Sequence, residues 1–234
     1  MLEAFGAAIW IATGAEISFA GFRYPTRMAV MRLADGGLFV WSPVALSDGL
    51  RGAVDALGSV RFIVTPTALH DLALPAWRAA YPEALLYAAP GSRTAARRIV
   101  FDADLGDAPP AAWAGEIDQV CVRGNMIATE VVFFHRPSGT VLFADLLQNF
   151  PPRWFSGWRA VVAKLDGMTG AEPRVPHKFR VAFTDRRAAR DSLARVIAWP
   201  VQKVVMAHGD PVRADGAAYL RRAFAWLKVW KGTR

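Results

Sequence analysis

Cysteine is nearly absent: Cys121 is the only one in 234 residues. An internal disulfide is therefore excluded, and the chain reads as a protein of a reducing, cytoplasmic compartment. Set in Val120-Cys121-Val122, the thiol is expected to pack as a small apolar residue rather than to react. No run approaches about 18 uninterrupted apolar residues, so no spanning helix is expected. The first twenty residues have an apolar centre but no basic flank, and Glu3 and Glu16 border it. They read as an opening strand rather than a secretory signal. Internal repeats, low-complexity tracts and composition breaks are all missing, which points to a single domain over 1–234. Histidine is scarce, with four in all, so each one at the end of an apolar run is a candidate for chemistry.

Hydrophobic residues make up 53% and charged residues 21%, the composition of a globular core rather than of a disordered chain. The net charge of +8 is unevenly placed. Residues 1–150 carry 11 basic and 14 acidic side chains, whereas 151–234 carry 17 and 6. A basic half suits an anionic substrate, an acidic partner or a membrane surface, although dispersed arginines also make an ordinary solvated helix face. No aromatic-basic RNA module is visible, and nucleic acid is not expected as a partner.

Hairpin signals open the chain. Residues 27–33 and 38–41 are apolar and flank Asp35-Gly36-Gly37, a turn signal. Ser47-Asp48 caps a helix to about Leu57. Strand 61–65, a helix near 70–80, strand 85–88 and a short helix from Gly91-Ser92 then alternate, the order of an α/β layered fold. Strands return at 119–122, 130–134 and 140–144. Helices are expected at about 154–166, 185–197 and 215–230, with a strand at 203–207 and a long loop at 167–176. Trp154 with Trp158, and Trp226 with Trp230, are spaced i, i+4 and read as core pairs. The stripe Leu220, Phe224, Leu227 and Trp230 reads as the packed face of the last helix.

Four polar residues close apolar stretches: His70-Asp71 after strand 61–65, Asp145 after 140–144, and His208 after 204–207. Ligands in layered α/β folds collect where strands end. Two imidazoles and two carboxylates converging there are a donor set for one divalent metal, zinc, iron or manganese. The alternative is that both histidines hydrogen-bond to the aspartates and knit the sheet ends together. His135 sits in a hairpin turn and reads as exposed and inert. His177 reads as a loop residue with a surface role. No Gly-x-Ser-x-Gly elbow surrounds Ser42, Ser92, Ser138 or Ser156, so a serine nucleophile has no support.

Several pieces together resemble the metallo-β-lactamase superfamily, in its divergent DUF4336-type branch. They are Trp41-Ser42-Pro43 closing the hairpin, Ile63-Val64-Thr65-Pro66 before His70, Tyr81-Pro82-Glu83-Ala84, Phe134 to Thr140 running into Asp145, and His208-Gly209-Asp210. The resemblance implies a four-layer αββα sandwich. It also implies metal positions at Pro66, Ala68, His70, Asp71, Asn125, Asp145 and His208. Proline and alanine side chains offer no donor and asparagine only a weak one, so the site served by Pro66, Ala68 and Asn125 is degenerate. The other site keeps its ligand types in His70, Asp71, Asp145 and His208, with the first two exchanged in order. Glu130, near the altered Gly124-Asn125 pair, is a possible stand-in ligand. Asp210 is placed to partner an imidazole N–H.

The superfamily's enzymes hydrolyse esters, thioesters, amides or phosphodiesters. The resemblance therefore implies a mononuclear metal-dependent hydrolase of a small substrate, with Asp71 or Asp145 orienting the water. The other class is a metal-free, non-catalytic scaffold acting as a binding or interaction module.

Overall fold

Strands buried on both faces set the architecture. In a computed structural model, residues 1–96, 98–151, 153–170 and 174–229 are described. The first sheet is built from β1 (Leu2–Gly6), β2 (Ile9–Thr13), β5 (Arg27–Arg32), β6 (Leu38–Trp41), β7 (Val60–Thr65), β8 (Leu85–Ala88) and β9 (Ala103–Asp104), paired in that order. The small hairpin of β3 (Ile17–Phe19) and β4 (Phe22–Tyr24) stands apart from it. The second sheet orders β10 (Ile117–Val122), β11 (Glu130–His135), β12 (Thr140–Asn149) and β13 (Lys203–Gly209). Helices α1 (Asp48–Asp55), α2 (Leu74–Ala80) and α3 (Ser92–Ala95) fall in the first half. Helices α4 (Gly157–Leu165), α5 (His177–Ala182), α6 (Arg186–Ile197) and α7 (Gly216–Ala223) fall in the second.

Successive side chains of a strand point to opposite faces, and the apolar clusters follow that rule. Phe39 and Trp41 of β6 join Phe133 of β11 and Val205 of β13 between the sheets. Leu38 and Val40 face the other way, onto Val54 of α1 and Trp77 of α2. Val132 and Phe134 of β11 pack with Leu193 of α6 and Leu220 of α7. Three apolar interfaces separate four layers, the expected αββα sandwich. The hairpin signal at 33–37 holds: Gly37 N–H donates to Asp35 Oδ1 at 2.9 Å. The Ser47 cap also holds, with Leu50 N–H donating to Ser47 Oγ at 3.2 Å.

Other expectations change. β12 continues past Asp145 to Asn149. His135 is not an exposed turn residue but the fully buried end of β11, with Nδ1 2.8 Å from Ser138 Oγ. The 3-10 turn Arg136–Ser138 folds that hydroxyl back onto the ring, and burial pushes the imidazole down to about 4. His177 starts α5 rather than lying in a loop. Trp158 is not core but 59% exposed. The last helix ends at Ala223, followed by a 3-10 turn at Ala225–Leu227. Its stripe of Leu220, Phe224 and Leu227 is buried as expected. Trp230 and residues 171–173 of the long loop lie outside the described residues.

Candidate metal centre

Three chain segments meet at one edge of the sandwich. β7 ends at Thr65 and enters a turn carrying His70, β12 carries Asp145, and β13 carries His208 near its end. One donor atom from each of these side chains lies within 4.8 Å of the others. His70 Nε2 and His208 Nε2 are each 3.4 Å from Asp145 Oδ1. Asp71, expected as a fourth donor, is not in this group and is half-buried. Neighbouring residues in a turn point in different directions, and the longer imidazole is the one that reaches in.

Each donor is held from behind. His208 Nδ1–H donates to the Pro25 carbonyl at 2.7 Å. A carbonyl only accepts, so Nδ1 carries a proton and Nε2 is the ring nitrogen that faces Asp145. His70 Nδ1 lies 2.8 Å from Ser42 Oγ. Ser42 sits at φ +50°, a left-handed conformation uncommon outside glycine, at the close of β6. Thr67 donates its hydroxyl to Asp145 Oδ2 at 2.8 Å, which leaves Oδ1 to face the imidazoles. Thr65 Oγ1 bonds the carbonyls of Thr67 and His70 at 2.7 and 3.0 Å and stitches the turn to its strand.

Asp145 lies in a bulge. The parallel ladder pairs Phe143 with Met206 and next pairs Gln148 with His208, so residues 144–147 stand against Ala207 alone. Such an insertion frees backbone N–H groups from the ladder. The buried Glu130 carboxylate accepts them: Ala144 N–H at 2.7 Å, and Asp145 and Leu146 N–H at 2.8 Å each. Glu130 is thus a brace for the Asp145 backbone rather than a stand-in ligand. Burial and the Asp145 charge push it up to about 7, against the pull of those three donors.

At the far end of β13, Gly209 adopts φ +116°, and a β-carbon there would overlap the Asn149 carbonyl. Only glycine fits this close approach. Buried Arg27 donates to the Met206 carbonyl at 2.9 Å and also to that of Gly209, tying β5 to the strand end. Asp210 does not partner His208. It is exposed, and its charge acts on Arg27 instead.

The electrostatics favour an ionised carboxylate between two imidazoles. Burial alone would raise Asp145, but the His70 charge and the hydrogen bonds of His208 and His70 hold it far below the usual carboxylate range. Burial alone would lower His70, and the charges of Asp145, Glu130 and Asp71 outweigh it, so the net shift is upward.

These donors fit a metal. Hydrogen bonds of this type cluster near about 2.9 Å, and 3.4 Å is long for one. Donor atoms of a tetrahedral zinc with bonds of 2.0–2.2 Å lie about 3.3–3.6 Å apart. Two imidazoles and one carboxylate also make a donor set for iron or zinc with positions left open. The degenerate positions are occupied by structural groups. The Pro66 carbonyl accepts from Val131 N–H at 2.8 Å. Asn125 Nδ2 donates to the Phe179 carbonyl at 3.0 Å, and its Oδ1 accepts from Ile127 N–H at 3.0 Å.

Residues 9–155 match the family described as a domain of unknown function, DUF4336. The chain belongs to the DUF4336 family. A search among curated proteins finds no match. Solved structures place this DUF4336 chain in the metallo-β-lactamase fold. A metallo-β-lactamase from Pontibacter korlensis is 12% identical, with a TM-score of 0.65 and coverage of 97% of this chain and 98% of that one. The mono-zinc form of FIM-1 from Pseudomonas aeruginosa is 14% identical, with a TM-score of 0.63 and coverage of 97% and 96%. The metal-soaked flavodiiron core of Flv1 from Synechocystis is 10% identical, with a TM-score of 0.66 and coverage of 97% and 60%. At these identities the likeness concerns the fold.

Proposed function

We propose that this DUF4336 chain is a mononuclear metal-dependent hydrolase of a small substrate. The observation that carries the reading is the pair of 3.4 Å separations from Asp145 Oδ1 to the two Nε2 atoms, with the donors braced from behind. His70, His208 and Asp145 would hold one zinc, iron or manganese ion. When bound, such a cation supplies Lewis acidity at a carbonyl or phosphoryl oxygen and acidifies a water. Pro25 and Ser42 orient the imidazoles, and Thr67 and Glu130 orient the carboxylate. Asp71 is the carboxylate beside the donor group and takes the proton-accepting role in this reading. The buried free thiol fits a cytoplasmic setting.

A second reading, a metal-free scaffold that binds without catalysis, draws on burial: the His70, Asp145 and His208 side chains are only 11%, 8% and 6% exposed. Elemental analysis of untagged protein, beside His208→Ala, separates the two. About one equivalent of metal, lost in the variant, is expected, followed by metal-dependent turnover in an ester and phosphodiester screen. No metal after reconstitution would sink the hydrolase and leave the scaffold. Bound metal without turnover of any ester or phosphodiester would keep the centre and remove the proposed activity.

A further inference from the structure

Among the described residues, nothing covers the apolar outer face of α4. Trp158, Val161, Val162 and Leu165 follow the i, i+3, i+4, i+7 spacing of one helix stripe, yet each is between 41% and 70% exposed. The β3–β4 hairpin extends this surface. Phe19 is 67% exposed, and its cross-strand partner Phe22 packs edge-on against Trp158 with ring centroids 5.7 Å apart. Arg159 Nε donates to the Gly21 carbonyl at 2.7 Å, so helix and hairpin form one surface. Beneath it lie Tyr24, Phe150, Phe155, Ala163 and Met168. The Tyr24 ring stands 5.3 Å from that of His208, so the surface borders the candidate metal centre.

Among the described residues, the exposed charges beside the stripe are basic. Arg153, Arg159 and Lys164 are exposed beside it, and Arg159 lies over the Trp158 ring at 4.6 Å. Among the described residues, the acidic side chains flanking these elements are already engaged: Glu16 pairs with Arg23 at 3.2 Å, and Asp166 with Lys178 at 3.4 Å. A second copy of a chain with net charge +8 would bring like charges together on this face. An anionic surface with an apolar interior satisfies both halves of the pattern. Tryptophan, aliphatic side chains and flanking cations are the composition that settles at a lipid headgroup boundary.

We propose that α4 and the β3–β4 hairpin dock the protein on anionic phospholipid bilayers. Phe19, Trp158 and Leu165 enter the headgroup boundary, and Arg153, Arg159 and Lys164 meet lipid phosphates. This docking is independent of the metal reading, and metal-free protein binds equally well.

The test is flotation of the untagged chain with phosphatidylcholine vesicles, with and without phosphatidylglycerol. Binding is expected only with the anionic lipid, accompanied by a blue shift in tryptophan emission. Lys164→Gln should weaken it about five-fold, the equivalent of one cation near an anionic surface. Leu165→Asp, at an exposed position that leaves the melting temperature intact, should abolish it. No flotation with phosphatidylglycerol vesicles would overturn the proposal, as would equal flotation of Leu165→Asp. Light scattering showing a dimer that Leu165→Asp dissociates would also overturn it, by assigning the face to a second copy.

Discussion

Glu130→Gln tests whether the Asp145 bulge depends on a carboxylate 14 to 16 residues away. The wild-type side chain accepts three backbone N–H groups within 2.8 Å, at a site with no solvent exposure. An amide keeps one acceptor oxygen, while its NH2 faces at least one of the donors. Leaving one buried N–H unpaired costs about 1–3 kcal/mol, and the surviving bonds fall from charge-assisted to neutral strength, about 1 kcal/mol more. Relief of the burial penalty and of the Asp145 repulsion, which together raise Glu130 to about 7, works in the opposite direction. The donor loss is the larger effect because three N–H groups converge on two oxygens. The expected net loss is about 2–4 kcal/mol, a large share of a typical folding stability. Urea unfolding near pH 7.5, followed by tryptophan fluorescence, reads it directly. Metal affinity should fall with it, since the same bulge aims Asp145. A loss below about 1 kcal/mol with unchanged metal affinity would refute the reasoning, because the bulge would then hold its shape without the carboxylate.

Adding zinc to metal-stripped protein at about 100 times its Kd should stabilise it by about 2.7 kcal/mol, or roughly 5–10 °C in Tm for this length. An unchanged melting curve would count against the centre. Thr67→Val removes the donor to Asp145 Oδ2 and should cost about 1–3 kcal/mol and weaken metal binding about 10–100-fold. Equilibrium dialysis giving the wild-type constant would remove Thr67 from the site. His135 is buried with its pKa lowered to about 4, so below about 6.5 the unfolded state binds a proton that the folded state does not. Stability is therefore present above pH 6.5 and lost as pH falls, by about 3 kcal/mol at pH 4. His135→Gln should lack that component, and parallel pH–stability curves for the two proteins would contradict it.

Sequence-local physics determined much of this protein. Asp35-Gly36-Gly37 made a turn because its contacts lie within two residues. Ser47 capped α1 because the recipient N–H is three residues away. Unbroken apolar runs became buried strands, and their order with the helices indicated an α/β layered fold, while the αββα sandwich was implied by the resemblance to the metallo-β-lactamase superfamily. Those layers brought the turn carrying His70, the bulge carrying Asp145 and the strand end carrying His208 to one edge.

Only the tertiary structure decided what surrounds those residues. His208 leans on Pro25 across 183 positions, and Asp145 on Thr67 across 78. Pairings of that span depend on sheet register and on the bulge in β12, neither of which periodicity reports. Asp71 left the donor group, Asp210 turned to Arg27, and Glu130 became a brace, because side-chain direction at a bulge or turn follows the local backbone rather than residue type. His135 was buried and Trp158 exposed for the same kind of reason. Solvent access is a property of what packs on top, and that cover comes from segments far away in the chain.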